Sequence, residues 1–143
     1  MPFCFSQQGI DAVTEKKRVV LLHGPDALTN WTASPVGAPV TVVGQGNATI
    51  APGAFVGIRI SGGEVYLRGL TVSGGTQVGI IAESGALLRM DRCIVTGNRG
   101  GLLVLNADFD ISNTVIAANK GAVVPNTMRS RRSSSSAVST ASR

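Results

Sequence analysis

Three segments repeat one pattern: YLRGLTVSGG at residues 66–75, RMDRCIVTGNRG at 89–100 and DISNTVIAANKG at 110–121. When they are aligned, three positions hold an apolar or small side chain in every segment. These positions are filled by Leu67, Met90 and Ile111, then by Leu70, Cys93 and Thr114, and then by Val72, Val95 and Ile116. A nearly fixed period in short segments indicates a solenoid, in which each repeat is one coil stacked on the previous coil.

A second series with nearly the same period runs beside the first. It consists of GIRI at 57–60, GIIA at 79–82, GLLV at 101–104 and GAVV at 121–124. Short alternating runs separated by Gly, Asn and Ser are typical of β-strands joined by tight turns. The chain lacks the apolar spacing of amphipathic helices, and its varied apolar positions do not match the leucine ladder of a leucine-rich repeat. We therefore expect parallel strands about 4.8 Å apart.

The alternation also predicts which side chains face the core. The inward residues of one coil are Leu88, Met90, Cys93 and Val95, and the outward residues are Arg89, Asp91, Ile94 and Thr96. The second series predicts an outward column made of Arg59, Ile81, Leu103 and Val123, and Val115 is expected to lie outward beside Ile94. Outward apolar residues indicate a surface covered by another segment or another chain, unless the register slips by one position.

The segment from about Val40 to Val124 resembles the right-handed parallel β-helix proteins of the pectin lyase-like superfamily. The residues that carry the resemblance are GIRISGGEVYLRGLTVSGG, GIIAESGALLRMDRCIVTGNRG and GLLVLNADFDISNTVIAANKG, which cover about three coils, with TVVGQGNATIAPG at 41–53 as a lead-in coil. The resemblance implies an all-β fold, a short right-handed parallel β-helix with coils of about 22 residues. The shared fold does not by itself decide an activity, because the superfamily includes lyases, hydrolases and adhesins.

This pattern divides the chain into three parts. Residues 1–39 are interpreted as a lead-in or cap segment, in which Val19 to Leu22 form a strand of an incomplete first coil. Trp31 and the stretch from Pro35 to Pro39 are expected to form a loop before the coils at 40–125. Residues 126–143, rich in Ser and Arg, are predicted to be disordered. The repeat stops near Val124, and three interpretations are open. The chain is a fragment, the tail comes from a shifted reading frame, or a partner covers the end of the last coil.

The composition limits the functions that need considering. The chain has 143 residues, 43% of them hydrophobic and only 4% aromatic, and a net charge of +5. Four of the 13 basic residues lie in the tail, at Arg129, Arg131, Arg132 and Arg143, which leaves 9 basic against 8 acidic residues elsewhere. These charges are scattered, so the chain is not expected to bind nucleic acid. The sequence has no apolar run long enough for a membrane span and no signal-peptide pattern.

The outward residues provide the candidate binding site. Tyr66, Arg89 and Asp110 are expected to stack in one column, and Arg68, Asp91 and Ser112 in the column beside it. We interpret Arg68–Asp91 and Arg89–Asp110 as ion pairs between adjacent strands on a solvated face, each contributing less than about 1 kcal/mol. The candidate ligand-binding residues are Tyr66, Arg89, Asp91 and Asp110.

The resemblance implies a second interpretation of the same face. Lyases of the superfamily bind acidic sugars through Ca²⁺, which is held by carboxylates, while an Arg or Lys removes a proton. By this analogy Asp91, Asp108 and Asp110 are candidate calcium ligands, and Arg68 or Arg89 is the candidate catalytic base; no other cofactor is expected. A galacturonase is not supported, because the chain has no Asp-Asp doublet and its single histidine, His23, precedes the coils.

Two further residue types have structural interpretations. Asn98 and Asn119 occupy the same place in successive coils, and each is followed by a basic residue and Gly. Asn tolerates the left-handed conformation of a tight corner, and stacked amides form a hydrogen-bonded ladder, so we expect a structural ladder rather than a ligand site. Cys93 is interpreted as a small buried side chain, and Cys4 has no evident disulfide partner.

The function expected from the sequence is that of a non-catalytic β-helix module, part of an extracellular or cell-surface protein, that contacts carbohydrate or protein. The localisation follows from the resemblance alone. A pectate lyase-like enzyme acting on an acidic polysaccharide is the alternative. A polysaccharide is the expected partner. The other expected contact is self-association, either through the outward apolar residues named above, which we call the apolar stripe, or through the open end of the β-helix.

Overall fold

The computed structural model describes residues 10–14, 18–24, 27–28, 31–33, 35, 38–120, 124–126, 129–130 and 139–142. Residues 27–28 and the ranges beyond 120 are described as backbone only. Cys4, Val123 and most of the tail predicted to be disordered lie outside these ranges, and the disorder stays a prediction. None of the described residues belongs to a helix that could cross a lipid bilayer.

Almost all of the regular structure is β-strand. The strands are β1 Val19–His23, β2 Ala27–Leu28, β3 Trp31–Ala33, β4 Val40–Gln45, β5 Thr49–Ile50, β6 Ile58–Ser61, β7 Glu64–Arg68, β8 Thr71–Ser73, β9 Val78–Glu83, β10 Leu87–Asp91, β11 Ile94–Thr96, β12 Gly100–Leu105, β13 Asp108–Ser112, β14 Val115–Asn119, β15 Val124–Asn126, β16 Arg129–Ser130 and β17 Ser139–Ser142. Among the residues that the structure describes, the remaining element is a single helical turn, closed by the bond from Val13 N–H to the Ile10 carbonyl oxygen (3.2 Å).

The strands form three parallel sheets that the chain visits in turn. Sheet A has the order β1-β4-β7-β10-β13-β16, sheet B β17-β14-β11-β8-β5-β2, and sheet C β15-β12-β9-β6-β3. One passage through sheets A, B and C is one coil, so the molecule is the right-handed parallel β-solenoid that the repeats predict. Four coils, β4–β6, β7–β9, β10–β12 and β13–β15, lie between Val40 and Asn126. The predicted lead-in coil at 41–53 is thus part of a regular coil.

The core is a stack of aliphatic side chains placed in register. In sheet A, Met90 is paired with Leu67 and Ile111 on the neighbouring strands, and in sheet B, Val95 is paired with Val72 and Ile116. All six of these side chains are buried. The predicted inward residues Leu88, Met90, Cys93 and Val95 are also buried, whereas Arg89 and Ile94 are exposed. Each coil therefore covers the apolar surface of the next, which is the main stabilising contribution in a solenoid.

Two expectations about the ends of the coils are wrong. Trp31 does not lie in a loop: it begins β3, pairs with Ile58 of sheet C, and is 1% exposed. A large apolar side chain at this end covers the first complete coil, and no repeat in the sequence marks that role. At the other end, Leu103 pairs with Val124 and not with Val123, so the last member of the second series lies one position further along the chain than the alignment predicts.

The outward column of sheet C also differs in part from the prediction. Arg59 is exposed, as predicted, but Ile81 is only 6% exposed although it lies outside the main core cluster. In the sheet it is paired with Arg59 on one side and Leu103 on the other. The solvent-exposed part of the predicted apolar stripe lies on sheet B. There Ile94 and Val115 are neighbours, with 44% and 41% of their surface exposed.

In the coils from β4 to β14, every corner between two sheets has a residue in the left-handed conformation. At the corner between sheets A and B these are Gly46, Asn47, Gly69, Arg92 and Asn113; between B and C, Gly53, Gly74, Gly97 and Ala118; and between C and A, Gly62, Gly63, Ser84, Gly85 and Asn106. This conformation costs an L-residue roughly 1–2 kcal/mol and costs glycine least. The Gly and Asn residues that punctuate the repeats therefore mark the places where the backbone must turn.

A ladder of buried amides supports the corner between sheets B and C. The side chain of Asn98 donates to the carbonyl oxygens of Val72 (3.0 Å) and Thr96 (3.1 Å) and to Asn119 Oδ1 (3.2 Å). Asn98 Oδ1 in turn accepts from Gly75 N–H (3.0 Å). Both asparagines are buried. The left-handed residues are those that precede them, Gly97 and Ala118, so the asparagines contribute hydrogen bonds rather than the turn itself.

The ladder explains why the second series has glycine at positions 79 and 101. A Cβ on Gly79 would lie 2.9 Å from Asn98 Nδ2, and a Cβ on Gly101 would lie 2.9 Å from Asn119 Nδ2. Both distances are shorter than normal van der Waals contact, so any side chain at these positions would displace an amide of the ladder.

Two neighbouring substitutions in β11 test whether the side chain of Val95 points into the core. We expect Val95→Asp to unfold the coils, because a buried unpaired carboxylate costs several kcal/mol. Ile94→Asp, on the exposed side of the same strand, should retain the native far-ultraviolet circular dichroism spectrum and lose less than about 1 kcal/mol in urea unfolding. A native spectrum for Val95→Asp would contradict the orientation of this strand.

Glycine substitutions at two adjacent alanines test the left-handed conformation at the corner between sheets B and C. Ala118 has a φ of 53°, whereas Ala117 does not have a positive φ. We expect Ala118→Gly to raise the free energy of unfolding by about 0.5–1 kcal/mol, because it relieves the left-handed conformation. Ala117→Gly should lower it by about the same amount, because glycine weakens a strand. Urea unfolding measures both, and equal destabilisation by the two substitutions would contradict the corner geometry.

Candidate binding face on sheet A

The outer face of sheet A brings together the residues that the sequence proposes for binding. The parallel register places Arg89 between Tyr66 and Asp110, and Asp91 between Arg68 and Ser112. These two columns lie side by side, because residues two apart on a strand point to the same face of the sheet. We call this set of six residues the A face.

Ion pairs join adjacent strands of the A face. Arg68 Nε lies 3.5 Å from Asp91 Oδ2, which is the predicted pair. Arg89 does not pair with Asp110, as the sequence suggested; its Nε lies 3.1 Å from Glu64 Oε1. Glu64 is opposite Leu87, two positions from Arg89, so this contact is diagonal. Two long side chains can span the diagonal, and the side chain of Glu64 is longer by one methylene than that of Asp110.

Asp91 is the most extensively bonded carboxylate of the face. Its Oδ1 accepts hydrogen bonds from Asn113 Nδ2 (2.9 Å) and Ser112 Oγ (3.3 Å), and Arg92 Nε lies 3.9 Å from Oδ2. The bond from Asn113 is the main reason why the pKa of Asp91 lies below its usual value, and Ser112, Arg92 and Arg68 add to this effect while burial opposes it. The carboxylate is therefore held ionised by the surrounding side chains.

The three candidate calcium ligands are not gathered at one point. Asp108 and Asp110 lie on β13, whereas Asp91 lies on β10 opposite Ser112. Among the described residues, no group of three His, Cys, Asp or Glu side chains is close enough to hold a metal ion. Both carboxylate oxygens of Asp91 already have partners. This arrangement does not fit a calcium ion that needs six to eight oxygen ligands, and calcium binding at these residues stays a prediction.

Cys93 lies directly beneath the face and is not part of it. Its side chain is 2% exposed, and its Sγ is 3.5 Å from the carbonyl oxygens of Leu67 and Asp91. Burial raises the pKa of the Cys93 thiol to about 11. The thiol is therefore protonated at neutral pH, and it contributes to packing rather than to nucleophilic chemistry.

A second surface feature was not predicted from the sequence. At the corner between sheets B and C, a groove of about 490 Å³ is lined by Gly74, Gly75, Thr76, Gly97, Arg99 and Lys120. We call it the corner groove. The signal that could have identified it is the basic residue after each ladder asparagine, in Asn98-Arg99-Gly100 and Asn119-Lys120-Gly121. The glycines were interpreted only as turn residues, so the cavity between them was missed.

The bonds to Asp91 predict a specific dependence of stability on pH. Because the pKa of Asp91 is lowered by folding, its stabilising effect should be complete above the ordinary aspartate pKa near 3.9 and be lost as the pH falls through the lowered value. We expect Asn113→Ala to reduce the loss of stability on acidification by up to about 1 kcal/mol, measured by urea unfolding between neutral pH and about pH 3.

The control for this measurement is Asn106→Ala. Asn106 and Asn113 are both exposed and both left-handed, with φ of 49° and 45°, so the two substitutions have the same backbone cost. Of the two, only Asn113 binds Asp91. Asp91→Asn should abolish the effect of Asn113→Ala on the pH dependence; an unchanged difference between the two alanine variants in that background would refute the assignment to Asp91.

The comparisons with known proteins agree with this fold. The family model described as a right handed beta helix region matches residues 39–135, which is more than half of the chain. Searches of curated proteins and of solved structures gave no significant match. The matched residues begin just before β4 and include β4 to β16, which are the stacked coils and the first strand after them. The chain therefore belongs to the right-handed β-helix region family.

Proposed function

We propose that this chain is a non-catalytic β-helix module that contacts a polysaccharide through the A face. The observation that carries the proposal is the in-register column of polar side chains on sheet A, in which Arg89 lies between Tyr66 and Asp110. Strands about 4.8 Å apart present such groups at regular intervals along a straight surface. Solenoids bind extended partners through surfaces of this kind.

The chemistry of the A face suits a hydroxylated polymer. Arg68 and Arg89 are about half exposed, and each is held by a carboxylate on an adjacent strand, which restricts its side chain. A restricted guanidinium loses less conformational freedom when it donates to a sugar hydroxyl or carboxylate. Tyr66, half-buried in the same column, offers the hydroxyl and the edge of one ring. These groups support recognition of carbohydrate by hydrogen bonds rather than by a platform of aromatic rings.

The ion pairs favour binding over proton transfer. A general base must place an acceptor atom within reach of the proton that it removes, whereas a guanidinium group presents only hydrogen-bond donors. Arg68 is paired with Asp91 and Arg89 with Glu64, so each of the two arginines proposed as a lyase base is already bound to an acid. The pectate lyase-like enzyme is therefore the second interpretation, and an assay for its unsaturated products distinguishes it from a binding module.

Two other expectations belong to the same proposal. The module is expected to act outside the cell or at its surface, where polysaccharides are found, and this placement rests on the resemblance alone. Self-association through sheet B is also expected, because Ile94 and Val115 leave adjacent apolar side chains exposed.

The proposal is tested by affinity electrophoresis of the full chain through gels that contain a neutral or an acidic polysaccharide. We expect at least one polymer to retard the protein, and Arg89→Ala to reduce the apparent affinity about tenfold, because it removes a charged donor from the A face. Arg59→Ala is the matched control. Arg59 is also about half exposed and also binds one glutamate on an adjacent strand, Glu83 at 3.3 Å, but it lies on sheet C.

Two results would contradict the proposal. Equal effects of Arg89→Ala and Arg59→Ala would show that the A face is not the binding surface, and the absence of retardation by any polymer would remove polysaccharide binding. Formation of unsaturated sugar ends from an acidic polysaccharide, followed by ultraviolet absorbance and lost in Arg68→Ala or Arg89→Ala, would favour the lyase instead.

A further inference from the structure

The corner groove lies on a part of the coil that is separate from the A face. Three successive coils contribute to it: Gly74 to Thr76 from the first, Gly97 and Arg99 from the second, and Lys120 from the third. These residues occupy the corner between sheets B and C, directly outside the amide ladder. The groove therefore runs along the axis of the solenoid rather than across a single coil.

The floor of the groove is backbone. Gly74 and Gly97 are left-handed, and a Cβ built on Gly74 meets no atom within 4 Å, so a side chain there would extend into open space. Gly75 cannot carry a side chain, because a Cβ would lie 3.0 Å from Asn98 Oδ1 and 2.8 Å from Pro52 Cγ. The space above the floor is therefore left open by the missing side chains of Gly74 and Gly97.

Two basic residues, Arg99 and Lys120, line the groove, and the amide ladder fixes the positions of their backbones. Arg99 N–H donates to the carbonyl oxygens of Gly75 (3.0 Å) and Gln77 (3.1 Å), and Lys120 N–H donates to the carbonyl oxygen of Asn98 (2.9 Å). Each cation directly follows a buried ladder asparagine, so the two backbones are stacked one coil apart, about 4.8 Å. Flexible side chains therefore extend from a rigid base.

The charge balance of the groove differs from that of the other surfaces. Arg59, Arg68, Arg89 and Arg92 each lie within 4.0 Å of a carboxylate oxygen. In the described part of the chain, neither Arg99 nor Lys120 has such a partner, and no acidic residue lines the groove. Two adjacent cations repel each other, and an anion between them removes the repulsion and gains two charge-assisted hydrogen bonds.

We propose that the corner groove binds an oxyanion, which the side chains of Arg99 and Lys120 hold from successive coils. The Thr76 hydroxyl donates to the Gly53 carbonyl oxygen at 3.2 Å, so its oxygen can still accept a hydrogen bond from a ligand hydroxyl. The volume of about 490 Å³ exceeds that of a bare ion and accommodates a larger group that carries the charge. A carboxylate, sulfate or phosphate is therefore the recognised chemistry, either free or attached to a saccharide.

The test is a titration of the ¹⁵N-labelled full chain, followed by amide chemical shifts. Sodium sulfate, sodium phosphate, sodium galacturonate and galactose are added separately, with sodium chloride at matched ionic strength as the reference. We expect sulfate, phosphate or galacturonate to shift the amides of Gly74, Gly97, Arg99 and Lys120 saturably, and chloride and galactose to leave them in place. A lower apparent Kd for galacturonate than for the inorganic ions identifies a saccharide acid, and the reverse identifies a free oxyanion.

Substitutions distinguish a site from general attraction to a basic chain. Arg99→Gln and Lys120→Gln should each weaken binding about tenfold, because each removes one charged donor. Arg92→Gln is the matched control: Arg92 is an exposed cation at the corner between sheets A and B, and its loss should leave the apparent Kd unchanged. Because Arg99 and Lys120 are exposed, both variants should keep the shifts of the core amides.

Three results would overturn the proposal. These are shifts equal to those produced by chloride, shifts spread over all basic regions of the chain, and equal weakening by Arg92→Gln and Arg99→Gln. The outcome is independent of the proposed polysaccharide contact, because Arg89→Ala changes the A face and leaves the corner groove intact.

Discussion

The constraint on which the whole structure depends is the left-handed turn at each corner of the coil. A chain that must return to the same sheet in every coil has to change direction three times, and the short corners leave little room for each turn. From β4 to β14 the residues that make these turns have φ between 45° and 80°. Only when each corner turns in the same place do the strands fall into register, and only in register do Leu67, Met90 and Ile111 form one buried column. The backbone conformation at the corner thus determines the packing of the core.

The amide ladder provides hydrogen bonds to backbone groups that the tight corners bury. A tight corner leaves backbone carbonyl oxygens inside the coil, where they are out of reach of water, and an unpaired buried carbonyl is costly. Asn98 and Asn119 donate to the carbonyl oxygens of Val72, Thr96 and Val95 and bind each other. Thr114 has a related role at the corner between sheets A and B, where its Oγ1 donates to the Ser112 carbonyl oxygen and accepts from Cys93 N–H. Buried polar side chains are therefore found at the corners, and aliphatic ones along the strands.

The fold could be predicted because the repeat encodes register directly. The columns through Met90 and Val95 were aligned correctly from sequence, since side chains at equivalent positions of successive coils must meet. The position of Trp31 was not predicted because it occurs once and belongs to no repeat, although its side chain is buried in sheet C. The ion pair of Arg89 was assigned to the residue directly opposite, whereas the longer reach of Glu64 favours a diagonal contact. Register follows from periodicity, but the direction of a long side chain does not.

The two candidate sites differ in what the sequence could reveal about them. The A face contains a charged residue on each of its three strands, and alternation alone places them together, although their ion pairs neutralise most of the charge. The corner groove is lined by Gly74, Gly75 and Gly97, and a glycine in a repeat is first interpreted as a turn residue. Yet the same glycines are required by the left-handed corner and by the ladder, so the space above them is a consequence of the fold itself. What is particular to this chain is that Arg99 and Lys120 follow the ladder at that point, where no acidic side chain of the described residues opposes them.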